Sequence, residues 1–198
     1  MAKTSFKKIK PKIYNNNTIS KFMLQKISNN VTAIHFNQFG SIVYFVKINN
    51  KNILIDTSSE ENAKELINSL KELNITREDI KTIILTHSHY DHIENIELFS
   101  HAKIYGNFTK KIKRDHSQKE IKNILNIESQ PIKEFKIFKL PGQSDIAILY
   151  KDILFSGDII FHGGYIGRND FPESDIKLQQ NSLEKLSKIN FNILAPGH

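Results

Sequence analysis

The sequence predicts an α/β domain in which two β-sheets pack together and helices cover their outer surfaces. Each half of the chain contains a run of short segments with strand character, followed by a segment with helical periodicity. No low-complexity linker separates the halves, and a chain of 198 residues is long enough to bury a sizeable core. We therefore expect one domain over residues 1–198, with residues 1–20 as a flexible or peripheral N-terminal segment.

The first half predicts a meander of strands, a helix and a further strand. Asparagine pairs at 29–30 and 49–50 occupy hairpin positions, where this residue tolerates positive φ. Residues 58–61 resemble a capping box, and the apolar residues after them recur at helical spacing until Asn74. The predicted strands of this half span residues 22–27, 31–36, 41–48, 52–56 and 80–86.

The second half predicts a second meander and a closing helix and strand. We expect residues 91–99 to start a helix and the polar segment 107–126 to be helical, with a short strand at 103–105 between them. A helix over residues 174–189 would bury Leu178, Leu183 and Leu186. The predicted strands of the second meander and the end of the chain span residues 135–140, 146–150, 153–156 and 191–195.

The composition is that of an ordinary globular protein, with 39% hydrophobic and 25% charged residues. The chain has no cysteine, which excludes disulfides and thiolate metal ligands. Its formal net charge of +7 would suit an anionic partner, but the basic residues are spread out and do not alternate with aromatics. Neither a membrane-length apolar stretch nor a signal peptide is apparent. We expect a cytoplasmic monomer or homodimer that acts on a small molecule, without a membrane or nucleic-acid partner.

Three histidines and an aspartate lie within six positions, directly after the apolar run at 83–85. If the preceding strand continues to Thr86, His87 and His89 project to the same side, because side chains alternate along extended backbone. Asp91 and His92 then fall at the turn into the next helix, where they can serve a second ion. Imidazole nitrogen and carboxylate oxygen suit zinc, iron or manganese, so the segment predicts a metal site.

Four further motifs follow in the order in which they occur in one known family. They are Leu-Pro-Gly-Gln-Ser at 140–144, Phe-Ser-Gly-Asp at 155–158, Gly-Tyr-Ile-Gly-Arg-Asn-Asp-Phe-Pro at 164–172 and Ala-Pro-Gly-His at 195–198. Together with Thr-His-Ser-His-Tyr-Asp-His at 86–92, they make nearly the whole chain resemble the metallo-β-lactamase-fold superfamily. Residues 157–175 are most similar to small glyoxalase II-like hydrolases and to the related persulfide dioxygenases.

The resemblance implies a four-layer αββα sandwich of two mixed β-sheets flanked by helices, with a metal site at one edge between the sheets. It implies one or two divalent metal ions as cofactors, with zinc favoured and iron or manganese as alternatives. Carried over by position, the ligands are His87 and His89 for a first metal, Asp91, His92 and His198 for a second, and Asp158 as a bridge between them.

Gln143 departs from the family pattern. The family's Pro-Gly-His-Thr motif supplies the first metal with a third histidine, whereas Pro141 and Gly142 are followed here by Gln143. An amide oxygen is a weaker ligand than imidazole for zinc-like ions. Three outcomes stay open: weak binding at the first site with Gln143 or water as a ligand, occupancy of the second site alone, or a degenerate site without catalysis.

The resemblance also implies a function, that of a hydrolase using a metal-bound hydroxide on a thioester or other small carbonyl ester. Asp91 would bind metal and orient the nucleophilic water or accept its proton. Arg168 would bind an anionic substrate, or it would clamp its own loop together with Asp170. The alternatives are an iron-dependent redox enzyme of the persulfide dioxygenase type and a non-catalytic domain for metal binding or sensing.

Overall fold

Two mixed β-sheets form the centre of the computed structural model, which describes residues 23–107, 123–141, 146–167 and 175–198. In the larger sheet the strands adjoin one another in sequence order, and in the smaller sheet the order is β11-β10-β9-β8. The larger sheet contains β1 (Leu24–Lys26), β2 (Val31–Ile34), β3 (Val43–Ile48), β4 (Lys51–Ile55), β5 (Ile80–Ile84), β6 (Lys103–Gly106) and β7 (Leu125–Asn126). The smaller sheet contains β8 (Lys136–Lys139), β9 (Ile146–Tyr150), β10 (Ile153–Gly157) and β11 (Ile193–Pro196).

Helices cover the outer face of each sheet. The α-helices are α1 (Ala63–Glu72), α2 (Tyr90–Ile93) and α3 (Ile176–Leu186) among the described residues, and short 3-10 turns span Glu60–Asn62, Arg77–Asp79, Ile96–Phe99 and His162–Gly164. Strands β1 to β4 are antiparallel to their neighbours, whereas β4 to β7 are parallel. In the smaller sheet only the β10–β11 pair is parallel among the described strands. No helix in the described ranges is long and apolar enough to cross a membrane.

The alternation of side chains along the strands divides the core into layers. In β3, Tyr44 and Val46 lie in the cluster between the sheets, whereas Phe45 belongs to the cluster that includes α1. In β10, Phe155 faces the space between the sheets and Leu154 joins the cluster that includes the end of α3. The layers are therefore helix, sheet, sheet and helix, which confirms the predicted αββα sandwich.

The buried side chain of Tyr44 joins the two sheets. Its hydroxyl donates a hydrogen bond to the carbonyl oxygen of Pro196 at 2.8 Å, which links β3 to the end of β11. Its ring packs edge-on against Phe155, with 5.0 Å between the ring centroids. Burial raises the pKa of Tyr44, and the charge of Asp56 raises it further, so the hydroxyl keeps its proton and remains a donor.

The helix predicted over residues 91–99 is interrupted. Helix α2 ends at Ile93, and the chain continues through Asn95 into the 3-10 turn. The amide of Asn95 donates hydrogen bonds of 2.9 and 2.5 Å to the carbonyl oxygens of Thr57 and Ser59. These bonds engage Asn95 with the loop after β4, while Ile93, two residues earlier, is buried beneath the larger sheet.

The capping box predicted at residues 58–61 is wrong. The Ser59 hydroxyl donates to the carbonyl oxygen of Phe39 at 2.5 Å and makes no cap hydrogen bond to the following turn. Ser58 has a φ of 64°, which lies outside the helical region. Ser59 therefore holds a neighbouring loop, and the α-helix begins only after the 3-10 turn.

The expected buried face of the closing helix is partly wrong. Leu186 is buried and Leu183 packs against the same cluster, but Leu178 is 42% exposed. The inward positions belong to Gln179 and Ser182. The amide of Gln179 donates a hydrogen bond to the carbonyl oxygen of Gly167 at 2.8 Å. Polar contacts with neighbouring loops thus set the rotation of α3.

Most of the segment 107–126, predicted to be helical, lies outside the described residues. Its end differs from the prediction, because Leu125–Asn126 pair with Tyr105 and Gly106 to form the edge strand β7.

We predict that Tyr44→Phe lowers the free energy of unfolding by about 1–2 kcal/mol, because the substitution leaves the buried carbonyl of Pro196 without its donor while retaining the ring. Denaturant unfolding of the metal-free protein measures this difference. Tyr150→Phe is the matched control, since Tyr150 is also buried but makes no hydroxyl hydrogen bond within the described part of the chain. A loss for Tyr44→Phe no larger than that of the control would contradict the proposed link.

Candidate metal centre

Imidazoles and carboxylates from four segments meet at one edge of the sandwich. Asp158 directly follows β10, and His198 follows β11 after one glycine. Because β10 and β11 are parallel, their carboxyl ends lie at the same edge. The loop after β5 and the short helix α2 complete the cluster from the larger sheet, so both sheets contribute to it.

One group contains Asp91, His92, Asp158 and His198. The Nε2 of His92 lies 3.1 Å from Oδ1 of Asp158, and the Nε2 of His198 lies 3.1 Å from Oδ2 of Asp91. The remaining separations are 3.7 Å from His198 to Asp158 and 4.0 Å from His92 to Asp91. Ligand atoms about 2 Å from a tetrahedral ion are about 3.3 Å apart, so these spacings suit one ion.

The second group contains His87, His89 and the other oxygen of Asp158. The Nε2 of His87 lies 3.8 Å from Oδ2 of Asp158, and the two histidine rings have centroids 4.4 Å apart. Ligand atoms of these three residues all lie within 4.8 Å of one another. Asp158 thus directs Oδ1 towards one group and Oδ2 towards the other.

A buried carboxylate behind the cluster orients the imidazoles. Asp56 accepts hydrogen bonds from the backbone N–H of Thr86, from its hydroxyl and from Nδ1 of His92, each at 2.8 Å. The Thr86 hydroxyl also lies 3.0 Å from Nδ1 of His87. Because Nδ1 of both rings is engaged on this side, Nε2 is the nitrogen directed into the cluster.

Asp56 is the residue that sequence reasoning missed. The sequence predicts only the end of a strand at Asp56, yet this residue is buried and has a φ of 59°. The available signal was a carboxylate that directly follows three consecutive apolar residues, Ile53 to Ile55. Such a buried charge requires a partner, and that requirement by itself suggests a structural or functional role.

The carboxylates of the cluster are ionised at neutral pH. Burial raises the pKa of Asp158, but the imidazoles of His92, His87 and His198 outweigh this effect and bring the pKa to about 2. Burial likewise raises the pKa of Asp91, whereas the hydrogen bond with His198 and the charge of His92 bring it below its ordinary value.

The two buried imidazoles have opposite protonation preferences in the metal-free protein. Burial lowers the pKa of His92, but the carboxylates of Asp56 and Asp158 raise it well above its usual value. Burial and the neighbouring charge of His92 hold the pKa of His87 well below its usual value. His87 is therefore neutral at pH 7, whereas His92 carries a proton that a metal ligand must release.

The residues present fit a divalent metal. The Nε2 of His92 and Oδ1 of Asp158 are buried and 3.1 Å apart, yet they lack hydrogen-bond geometry with each other or with any other described residue. Gly197 leaves space beside them, because a Cβ there would lie 2.5 Å from Oδ1 of Asp158 and 2.7 Å from Cε1 of His92. Nitrogen and oxygen donors in this number suit zinc, iron or manganese.

The structure brings together six of the side chains singled out in the sequence, in the two groups described above. Gln143, Arg168 and Asp170 lie outside the described residues. The side chain of His162 is exposed and belongs to neither group. Its backbone N–H donates a hydrogen bond to the carbonyl oxygen of His198 at 2.8 Å. The ring of Tyr90 lies near that of Phe39, with centroids 6.4 Å apart.

The αββα sandwich and the imidazole–carboxylate cluster at its edge define the class of protein, that of the metallo-β-lactamase fold with a candidate metal centre. Residues 37–198 match the family model of the Metallo-beta-lactamase superfamily, and the chain belongs to that superfamily. It is 33% identical over 153 residues to the probable metallo-hydrolase MJ0296 of Methanocaldococcus jannaschii, covering 74% of this chain and 70% of the relative. It is 30% identical over 172 residues to the hydroxyacylglutathione hydrolase GloC of Haemophilus influenzae, covering 73% of this chain and 78% of the relative.

Solved structures share the fold at lower sequence identity. TTHA1623, solved in a di-iron-bound form, superposes with a TM-score of 0.66 at 22% identity, covering 84% of this chain and 91% of that chain. BJP-1, a subclass B3 metallo-beta-lactamase of Bradyrhizobium japonicum, superposes with a TM-score of 0.64 at 17% identity, covering 88% of this chain and 77% of that chain. These likenesses support the fold alone.

We predict that Asp56→Asn lowers the free energy of unfolding of the metal-free protein by roughly 3 kcal/mol at pH 6, because the buried His92 loses a charged partner. The folded-state pKa of His92 is raised, so this stabilisation is complete below its usual value near 6.5 and is lost as pH rises through the folded-state value. Denaturant unfolding between pH 6 and 9 should show the difference from wild type narrowing as pH rises.

The exposed Asp152 provides the control for this prediction. Asp152→Asn is the same isosteric change in a turn outside the cluster, and we expect an effect within about 0.5 kcal/mol at every pH. A difference between wild type and Asp56→Asn that stays constant or widens with rising pH would be inconsistent with the pairing of Asp56 and His92.

Proposed function

We propose that this protein is a metal-dependent hydrolase that cleaves a thioester or another small carbonyl ester. The observation that carries the proposal is the carboxylate of Asp158, which directs one oxygen towards each of two ligand groups. Support for the substrate class comes from the likeness to GloC, which is named a hydroxyacylglutathione hydrolase.

The proposed ligand sets follow from the two groups. His87, His89 and Asp158 would hold one ion, and Asp158 would share a second with the residues of the other group, Asp91, His92 and His198. When bound, a divalent metal polarises a carbonyl and lowers the pKa of a coordinated water towards neutrality. Zinc is the proposed ion, and iron and manganese are the alternatives.

Asp91 is the proposed catalytic carboxylate. It is buried at the start of α2, and its backbone carbonyl accepts a hydrogen bond from the N–H of Ser41 at 2.9 Å. Its lowered pKa makes it a poor proton store at neutral pH, so its principal role would be to accept a hydrogen bond from the attacking water and orient it. Arg168 remains the proposed contact for an anionic part of the substrate.

The metal dependence is tested by reloading. Metal-free protein given limiting zinc or iron should regain hydrolysis of a generic thioester in proportion to the metal found by elemental analysis, and the metal-free form should keep less than about 1% of that activity. His92→Ala should prevent the recovery, whereas His101→Ala, at an exposed histidine outside both groups, should not. Thioester turnover that persists after complete metal removal would refute the proposal.

A second candidate, a metal-binding domain without catalysis, is favoured by the glutamine at the position of the family's third histidine.

We predict that Gln143→His raises the affinity for the first metal by at least about tenfold, because imidazole is the stronger ligand. Competition with a chromogenic chelator measures the affinity. Gln130→His, in an exposed turn after β7, is the control and should change nothing. The same affinity for Gln143→His as for wild type would indicate that residue 143 does not face the metal.

A further inference from the structure

Phe39 is an exposed aromatic residue beside the candidate metal centre. Phe39 is 67% exposed, which is unusual for phenylalanine. Its ring is nearly parallel to that of His198, at an interplanar angle of 15° with 5.6 Å between the centroids. Phe39 therefore contacts a proposed ligand directly while most of its own surface remains open.

Buried polar side chains hold the backbone of Phe39. The Ser59 hydroxyl and the Asn62 amide both donate to its carbonyl oxygen, at 2.5 and 3.2 Å. The next residue, Gly40, leaves no room for a side chain, because a Cβ would contact the Ser58 hydroxyl and lie 2.6 Å from the Asn62 amide nitrogen. These contacts restrain the backbone of the loop at Phe39, and the stacking on His198 positions its ring.

The same loop is bonded to the backbone of the cluster. The N–H of Ser41 donates to the carbonyl oxygen of Asp91 at 2.9 Å, and the N–H of Ile42 donates to that of Gly197 at 2.8 Å. Both acceptors lie in or next to proposed ligands. The position of the Phe39 ring is thereby coupled to Asp91 and His198.

The exposed ring of Phe39 is an apolar surface that a molecule bound at the candidate metal centre would contact. Because the Phe39 ring stacks on that of His198, a carbonyl compound bound beside His198 would have an apolar aromatic surface within reach. Aromatic rings bind apolar and, above all, other aromatic groups by contact area and ring stacking. A small or charged substituent gains neither.

We propose that Phe39 is a specificity-determining residue that contacts the acyl group of the substrate and selects an apolar, preferably aromatic, acyl group. This inference rests on the proposed hydrolase function, because it assumes that a carbonyl compound binds at the metal centre. It adds to that function the chemical class of the acyl group.

The test measures binding separately from turnover. Calorimetric titration of the zinc-loaded protein compares 3-phenylpropanoate with propanoate, which share the carboxylate but differ by the ring. We expect wild type to bind the aromatic acid at least tenfold more tightly. Phe39→Ala should reduce this ratio below threefold, and Phe39→Tyr should restore it. Ile176→Ala, which removes another exposed apolar side chain, should keep the wild-type ratio.

A kinetic comparison distinguishes failure of this inference from failure of the proposed function. Acetyl and phenylacetyl thioesters of one thiol are assayed with the same variants, after equal zinc content and thermal unfolding have been checked. Undiminished preference for the aromatic acid or ester in Phe39→Ala, or no preference in wild type, overturns the role of Phe39. No turnover of either thioester, with the binding preference intact, overturns the hydrolase proposal alone. If neither acid binds and neither thioester is cleaved, both proposals fail.

Discussion

The buried carboxylate of Asp56 is the constraint on which the arrangement of the site depends. A carboxylate without water or partners is very unfavourable inside a protein, so Asp56 requires donors. It finds them in the N–H and hydroxyl of Thr86 and in Nδ1 of His92. These bonds join the end of β4, the end of β5 and the helix α2. The bond to Asp56 determines that Nε2 of His92 is directed towards Asp158, and the contact of Thr86 with Nδ1 of His87 does the same for that ring.

The candidate metal centre lies where the two sheets meet, and each sheet supplies part of it. The larger sheet supplies the histidine segment, and the smaller sheet supplies Asp158 and His198 from the ends of two parallel strands. Tyr44 holds the end of β11 against the larger sheet through its bond to Pro196, one residue before Gly197. Because Gly197 has no side chain, the strand end can approach Asp158 and His92 closely. Packing between the sheets and the geometry of the proposed ligands are therefore coupled.

Most of the fold was predictable from local patterns, because alternation of apolar residues identifies strands buried between layers. The six clustered ligand candidates were predictable from motifs. The role of Asp56 was not, since its partners lie 30 and 36 residues away along the chain. Nor does helical periodicity reveal that Gln179 faces a backbone carbonyl while Leu178 faces solvent. In both cases the deciding interaction is a non-local hydrogen bond, which has no signature in the local sequence.

We propose that Asp158 lies between two metal sites, one shared with Asp91, His92 and His198 and the other with His87 and His89. Anomalous X-ray diffraction at the zinc edge, from crystals of zinc-loaded protein, tests it most directly. We expect a strong peak about 2 Å from Nε2 of His92 and His198 and from the carboxylate of Asp158. A second, weaker peak is expected near His87 and His89, because Gln143 replaces the third histidine of that group. Zinc bound elsewhere, or no peak beside Asp158 in fully loaded crystals, would show that Asp158 does not lie between two metal sites.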